Sequence, residues 1–425
     1  MSIMRSFNIG ITGLAANGQS MSITGDNIAN AGTTGFKASR AEFQDILAVS
    51  LKGVAAGGQI GAGTRLGHVK VLHGQGDVTR TDSNTDLAIN GEGFFIVDAP
   101  FGSGYTRDGS FHFNKSGELV TGDRYKVLGF EYRDGKKTTL LKPISLTNAN
   151  IQAKATKEIE LSMNLDTRVK PLEFDSRDAE ATSHFSSGLA VYDNLGTQRL
   201  VTLYFNKIED NQWEYHAMVD GTDAADGKKG ELVEMGAGRL QFDDNGLLKE
   251  EIESKNSFNF SDGARPGQKI KINFGKSLTE GGDGLRAITQ YGIKSNVARH
   301  TQNGFSAGTL ANLAFDDKGV MTAAYTNGEL REIAQVALAK FEDKEGLFKM
   351  GKNLYKRTRT SGQAAVGGPE EAGRGEILSK SLELSNVDLA KEFVALMTQS
   401  RNFKANGKVI TTADEMAQEV LTLKR

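Results

Sequence analysis

The sequence predicts a multidomain, mainly β protein whose N- and C-terminal segments are α-helices that pair as a coiled coil. At both ends of the chain, apolar and small residues alternate in steps of three and four, the spacing of a coiled-coil seam. Between the ends, apolar and polar residues alternate as in strands, and single glycines interrupt them. The chain has 425 residues with 50 glycines but only 5 prolines, which favours many tight turns over a proline-rich linker.

The predicted seam lies in a first helix over residues 3–29 and in a second helix near the C-terminus. Its residues are Phe7, Ile11, Leu14, Met21 and Ile28 in the first helix, and Leu389, Phe393, Leu396, Phe403, Ile410 and Leu421 in the second. The first helix also contains four interior glycines, each of which costs about 1 kcal/mol relative to alanine. We therefore expect this helix to form only when another helix packs against it.

Turn signals divide the middle of the chain. A motif of aromatic, Asx, two polar residues and Gly recurs at 113–117, 242–246 and 315–319, and it predicts three hairpins. Asn90-Gly91 predicts a further hairpin, whereas 53–63 and 361–375 resemble flexible linkers. The expected domains are an inner helical domain (1–30 and 380–425), a connector (31–70 and 355–379), a middle β-domain (71–145 and 285–354) and an inserted outer β-domain (146–284).

Composition excludes several classes of function. The 51 basic and 53 acidic residues give a net charge of -2, which favours neither a nucleic-acid nor a membrane-surface partner. There is no cysteine, and no apolar run is long enough to insert into a membrane. The N-terminus lacks the apolar core of a cleavable signal peptide. We expect a cytoplasmic protein, or one exported by a route that reads no such signal.

The sequence offers no catalytic, cofactor-binding or metal-binding site. Gly304-Phe305-Ser306-Ala307-Gly308 matches the nucleophile elbow of hydrolases, but the flanking residues do not suit a strand-turn-helix. The hydrolase order also needs a histidine after the serine, and the last histidine of the chain is His300. The histidines are isolated, which favours positions on strand faces over metal ligation. A secreted β-rich enzyme or adhesin is an alternative that would need a deep polar pocket, which the sequence does not predict.

Several motifs together resemble the axial proteins of the bacterial flagellar rod and hook. They lie in the stretches 27–43, 85–97, 105–111 and 382–393. The residues that carry the resemblance are Asn27, Asn30, Gly35, Phe36, Lys37, Asp86, Gly91, Gly93, Phe94, Phe95, Ser385, Asn386, Val387 and Asp388. Ser400 and Phe403 depart from the family pattern in the second helix. Because the chain carries a large inserted β-domain, it resembles hook subunits more than the shorter rod proteins.

The resemblance implies a structural role. Such subunits assemble with copies of themselves into a hollow, curved tube, a universal joint that transmits torque from motor and rod to filament. The implied partners are rod, hook-cap and hook–filament junction proteins and the flagellar type III export apparatus. The implied location is extracellular, in the basal body and hook, without a cleaved signal peptide. A distal rod or hook–filament junction protein is the alternative.

Overall fold

The computed structural model describes residues 2–47, 61–133, 135–146, 150–282 and 287–422, without the side chains of residues 2, 3, 47, 421 and 422. Two compact units form the chain. Unit 1 comprises Met1–Thr147, Asn312–Ala323 and Leu330–Arg425, and unit 2 comprises Asn148–Ala311 and Ala324–Glu329. The predicted outer domain, 146–284, shares residues 148–284 with unit 2, and its assignment as a separate outer layer stays a prediction.

Unit 1 begins with helix α1 (Ser2–Ala29) and continues with ten strands. These are β1 (Ser39–Leu47), β2 (Gly61–Val71), β3 (Val78–Arg80), β4 (Leu87–Asn90), β5 (Phe94–Ala99), β6 (Gly102–Thr106), β7 (Phe111–Phe113), β8 (Leu119–Thr121), β9 (Lys126–Arg133) and β10 (Lys136–Pro143).

The chain then runs through unit 2. Its strands are β11 (Asn150–Ile151), β12 (Glu158–Asp166), β13 (Phe185–Tyr192), β14 (Gln198–Glu209), β15 (Gln212–Asp220), β16 (Leu232–Phe242), β17 (Leu248–Asn256), β18 (Lys271–Asn273), β19 (Thr289–Tyr291) and β20 (Asn296–Gln302), with a 3₁₀ helix at Ser176–Asp178.

The remaining elements lead to helix α2 (Leu389–Thr422). They are β21 (Gly308–Phe315), β22 (Val320–Tyr325), β23 (Leu330–Val336), β24 (Leu338–Lys340), β25 (Phe348–Gly351), β26 (Leu354–Lys356), β27 (Ala365–Gly367), a 3₁₀ helix at Glu371–Gly373, β28 (Glu376–Ser379) and β29 (Ser381–Glu383).

The core of unit 1 is built on both faces of β5. Phe95 and Val97 pack on one side with Leu338, and Phe94 and Ile96 pack on the other. The first four residues of β5 are apolar and buried, which suits a strand in the interior of a sheet of order β23-β9-β5-β6-β26-β25.

The core of unit 2 is rich in aromatic residues. Strands β13 to β17 form a five-stranded antiparallel meander, and β12 pairs with β18, β19 and β20 in a second sheet. Trp213 is fully buried between them, and its indole N–H donates a 2.9 Å hydrogen bond to Oε1 of Gln290. A buried indole needs such an acceptor because an unpaired N–H is costly to desolvate.

The three repeated turn motifs are hairpins, as predicted. Phe113 pairs with Leu119, Phe242 pairs with Leu248, and β21 and β22 are neighbours in the sheet. Each motif ends on a glycine of positive φ: 73° at Gly117, 79° at Gly246 and 68° at Gly319. Asx and glycine supply the turn locally, so a short motif is enough to predict it.

Two other expectations were wrong, and a third was wrong in the part that the structure describes. Asn90-Gly91 does not join a hairpin, because β4 pairs with the distant β28 and not with β5. The stretch 361–375 is not a free linker: Ala365–Gly367 forms β27, which pairs with β24. Of the expected linker at 53–63, residues 53–60 lie outside the described residues, and 61–63 begin strand β2.

Candidate assembly surface and the terminal junction

One buried carboxylate connects the two ends of the chain to the β core. We call Lys37, Arg107 and Glu383 the terminal junction. Lys37 precedes β1, Arg107 follows β6, and Glu383 ends β29. The Lys37 ammonium contacts Oε1 of Glu383, and Nη1 of Arg107 lies 3.0 Å from Oε2. The exposed fractions are 1%, 5% and 0%, so all three charges are withdrawn from water.

The remaining hydrogen-bonding groups of the terminal junction are satisfied by the backbone. Lys37 Nζ donates to the carbonyl of Gly74 at 2.6 Å, and Arg107 Nη2 donates to the carbonyl of Gly91 at 2.6 Å. The Gly76 amide donates to Oε1 of Glu383 at 3.0 Å. Burial lowers the pKa of Lys37, and the Glu383 carboxylate opposes that shift. Pairing and complete hydrogen bonding are what allow charges to be buried.

His73 lies against the terminal junction. Its ring packs 5.8 Å from the ring of Phe94 and 5.5 Å from that of Tyr355, and its Nδ1 atom is buried without a hydrogen-bond partner among the described residues. Burial lowers the pKa of His73 to about 4, and the charge of Lys37 adds to the shift. The imidazole is therefore neutral near pH 7.

Asn27 ties the end of α1 to β1 and to α2. Its Nδ2 donates to the carbonyl of Ser39 at 2.8 Å and to Oε1 of Glu392 at 3.1 Å. The Ser39 amide donates back to Oδ1 of Asn27 at 2.8 Å. Because Asn27 is only 1% exposed, these bonds replace water that the side chain has lost.

Asn386 makes the matching connection before α2. The Ala38 amide donates to its Oδ1 at 2.8 Å, and its Nδ2 donates to the carbonyl of Leu72 at 2.7 Å. Two residues later Asp388 caps α2, since its Oδ1 accepts from the amides of Ala390 and Lys391 at 3.0 and 3.2 Å. Hydrogen bonds from the backbone and side chain of Lys391 lower the pKa of Asp388.

The other signature residues surround these connections. Gly35, at φ 68°, approaches the backbone of Asp108 so closely that a Cβ would lie 2.5 Å from that amide nitrogen. Phe36 is buried beneath the ammonium of Lys349, 4.3 Å from the ring centre. Asn30, Asp86, Gly91, Gly93, Ser385 and Val387 lie in turns or at strand ends of unit 1, and Phe94 and Phe95 are core residues.

The helices α1 and α2 pack antiparallel. As the residue number rises along α1, the number of the contacting residue in α2 falls. Gly10 faces Ile410, and Gly13 faces Asn406. Further along, Oγ1 of Thr24 accepts a 3.0 Å hydrogen bond from Nε2 of Gln399. The buried residues of α1 are small or polar, namely Gly10, Gly13, Ala16, Ser20, Thr24 and Asn27. The glycines let the second helix approach closely, because a Cβ at Gly10 would lie 2.7 Å from Cγ1 of Ile410.

The predicted seam residues lie beside this contact. In α1, Phe7, Leu14, Met21 and Ile28 are half-buried and Ile11 is exposed. In α2, Leu396 and Ile410 are half-buried, Leu389, Phe393 and Phe403 are 45%, 50% and 42% exposed, and the side chain of Leu421 lies outside the described residues. The seam toward other copies of the chain stays a prediction.

Sequence reasoning missed the partners in the terminal junction and the helix pair. Arg107 and Glu383 lay inside signature stretches but were not assigned a role. Gly10 and Gly13 are each one residue away from the predicted seam, and Thr24 is three residues from Met21. The one available signal was Glu383 itself, a charged residue between two leucines in a strand. Among the described residues, no group of three or more acidic, His or Cys side chains could hold a metal ion. No helix in those ranges combines the length and apolarity that crossing a membrane requires.

Family models match four consecutive parts of the chain. They are "Flagella basal body rod protein" at residues 7–37, "Flagellar hook protein FlgE/F/G D1 domain" at 88–165, "Flagellar basal body protein FlaE D2 domain" at 164–305 and "Flagellar basal body rod FlgEFG protein C-terminal" at 378–423. The first match includes residues 7–29 of α1 and the last includes all of α2. The terminal junction joins regions from the first, second and fourth matches.

Similar proteins match over their whole length. The flagellar hook protein FlgE of Treponema pallidum is 31% identical, with 100% of both chains covered, and that of Salmonella typhimurium is 29% identical, with 99% of this chain and 100% of the relative covered. The crystal structure of Helicobacter pylori flagellar hook protein FlgE2 has a TM-score of 0.54 at 15% identity and covers 72% of this chain and 100% of its own, a likeness of fold. The full-length identity to the Treponema protein, with all four family matches in order, shows that this chain belongs to the family of bacterial flagellar hook proteins.

Proposed function

We propose that this chain polymerises through its terminal helices into the hollow, curved tube of the flagellar hook, where it acts as a universal joint between rod and filament. The chain is a structural subunit of the hook and not an enzyme. In the proposed tube, α1 and α2 form a coiled coil within each subunit and present their predicted seam residues to neighbouring subunits.

The observation that carries the proposal is a row of large apolar side chains that α1 leaves exposed on α2. Leu389, Phe393 and Phe403 are each more than 40% exposed. Leu396 lies in the same row and is half-buried. Burying one such side chain completely contributes about 1.5–3 kcal/mol, so a second copy that covers the row would gain enough to hold subunits together. Exposed apolar rows of this size usually mark an interaction surface.

The domain arrangement follows from this proposal. The helices (1–30 and 380–425) would line the inside of the tube, and the connector (31–70 and 355–379) would join them to the middle β-domain (71–145 and 285–354). Residues 146–284 would form the outer layer. The hydrogen bonds of Asn27 and Asn386, together with the terminal junction, would transmit force between the helices and the β-domains.

The same assembly defines the proposed partners. Rod, hook-cap and hook–filament junction proteins would contact the ends of the tube or its growing tip. We further propose that the flagellar type III apparatus exports the chain without cleavage of a signal peptide. The four interior glycines of α1 weaken that helix in isolation, which suits a chain that passes unfolded through a narrow channel.

The test is an aspartate at the apolar row. Leu396→Asp and Phe403→Asp each place a charge where the proposed contact is apolar, and we expect both to abolish tube formation by purified protein while both units stay folded. Thr398→Asp is the matched control, because Thr398 is exposed on another side of α2 and carries the same new charge. Negative-stain electron microscopy reports tubes, and circular dichroism reports folding.

Two results would contradict the proposal. Normal tubes from both variants would mean that the apolar row is not part of the contact. Loss of tubes in Thr398→Asp as well would mean that any charge on α2 is harmful and that the row has no special role.

A further inference from the structure

The side of α2 that faces away from α1 carries three basic residues in succession and, further along, an acidic residue. Arg401, Lys404 and Lys408 follow one another at spacings of three and four, and Glu415 continues the same side of the helix. All four side chains are exposed, and none forms an ion pair with another described residue. The helix therefore presents a basic block followed, about two turns later, by an acidic position.

The residues that contact α1 lie on the opposite side. Gln399, Asn406 and Ile410 meet α1, and each is about half a turn from the basic block. The α1 helix cannot neutralise this block, since its charged residues Arg5 and Asp26 lie near its two ends. Among the described residues, the basic block therefore faces water and no counter-charge.

We propose that the basic block of one copy contacts Glu415 of a second copy, so that neighbouring α2 helices lie parallel with a fixed stagger. Lys404 and Glu415 are 11 residues apart, so the stagger would be roughly 16 Å at 1.5 Å per residue. The inference rests on the proposed polymerisation and adds to it the surface that sets the axial register. The apolar row supplies attraction without direction, whereas opposite charges on one side of a helix select one register and reject others.

Charge reversal tests the contact. Arg401→Glu/Lys404→Glu/Lys408→Glu reverses the basic block, and Glu415→Lys reverses its partner. Each variant alone would place like charges in contact, and we expect its critical concentration for tube formation to rise at least about tenfold. Mixed in equal amounts, the two variants should form tubes again, because each supplies the charge that the other lacks. Circular dichroism of both monomers controls for helix formation.

Cysteine pairs distinguish the stagger from other packings. The natural chain has no cysteine, so Lys404→Cys/Glu415→Cys introduces the only thiols. Oxidation of assembled tubes should link copies into a ladder of multimers, whereas either single variant should give none. Dimers alone would indicate an antiparallel pair and overturn the proposal. Absence of crosslinks, or a mixture of charge variants that stays unassembled, would also overturn it. If the natural chain itself formed no tubes, the proposed function would fail instead.

Discussion

At the scale of single residues, the terminal junction is the feature with the largest consequences. Glu383 forms ion pairs with two cations, one from the N-terminal segment and one from the β core. A buried ion pair adds little net stability when it is complete, because desolvation offsets the attraction. Removing one charged side chain of the junction lowers stability much more, because the charges that remain buried have neither water nor a counter-charge.

We expect Glu383→Gln to destabilise unit 1 by about 3–5 kcal/mol, because Lys37 and Arg107 would stay buried without a counter-charge. Urea unfolding followed by circular dichroism measures the loss. Tryptophan fluorescence serves as an internal control, since the chain's one tryptophan, Trp213, is in the core of unit 2 and its transition should not move. Glu42→Gln, which removes an exposed pair with Arg40, should have no measurable effect. An equal loss in both variants would contradict this role for the junction.

His73 should make unit 1 sensitive to acid. Its pKa of about 4 in the folded chain lies below the ordinary value of 6.5, so the unfolded chain binds the proton first. Stability is then complete above the ordinary pKa and is lost as the pH falls toward 4. Between pH 7 and pH 5 we expect a loss of about 1–2 kcal/mol.

The variant His73→Gln removes this titration. The slope of unit 1 stability against pH should flatten between pH 7 and 5, as measured by urea unfolding at a series of pH values. An unchanged slope would show that another group causes the acid sensitivity.

At the scale of elements, the two antiparallel helices can pack closely because α1 has glycines, which carry no side chain, where α2 approaches it. Gly10 and Gly13 lie where α2 approaches, whereas a Cβ at Gly18 or Gly25 would meet nothing within 4 Å. Glycine lowers helix stability at all four positions, but only two of them need it for packing.

Comparing Gly10→Ala with Gly18→Ala separates the effect of glycine on helix propensity from its effect on helix packing. Gly18→Ala should stabilise α1 by about 1 kcal/mol through helix propensity. Gly10→Ala should lose that gain, because its Cβ would press against Ile410 at 2.7 Å. Amide hydrogen exchange along α1 reports both changes. Equal stabilisation by both substitutions would mean that the helices do not approach closely at Gly10.

The hairpins and strand pairs show which features of the fold can be predicted from the sequence. The hairpin at Phe242–Gly246 was predictable because its turn residues are adjacent in the chain. The pairing of β4 with β28 was not, because Asn90-Gly91 carries a strong local turn signal and the true partner strand is far away. The terminal junction was equally hidden, since Glu383 lies 346 residues from Lys37 and 276 from Arg107. Spacing rules describe neighbours along one helix or strand, so they give no register between distant segments.

At the scale of the whole molecule, the division into two units allows unit 2 to be tested separately. Unit 2 has its own core, with Trp213, Tyr215 and Phe274 among its buried residues. A unit with its own core usually folds alone. Lateral contacts between such units in neighbouring subunits are a natural place to hold the curvature of a tube.

We therefore expect a chain in which a short Gly/Ser bridge replaces residues 148–311 to form tubes that are straight. Electron microscopy of the deletion variant measures the curvature, and the excised segment should keep the fluorescence of a buried tryptophan as a control for its fold. Tubes of unchanged curvature would mean that the inner layers, and not unit 2, determine the curvature. Complete loss of tubes would make unit 2 part of the assembly contact.

The terminal junction also determines the order of folding. Lys37 leaves the ribosome early, but its carboxylate partner belongs to the last eighth of the chain, as do the strand partners of β3 and β4. Contacts between such distant segments are slow to form, because a long loop must close before they contribute any stability. Unit 1 therefore cannot be completed while the chain is still being synthesised. The proposed export of an unfolded chain would benefit from this delay, because the residues that share the buried charge come from opposite ends of the sequence.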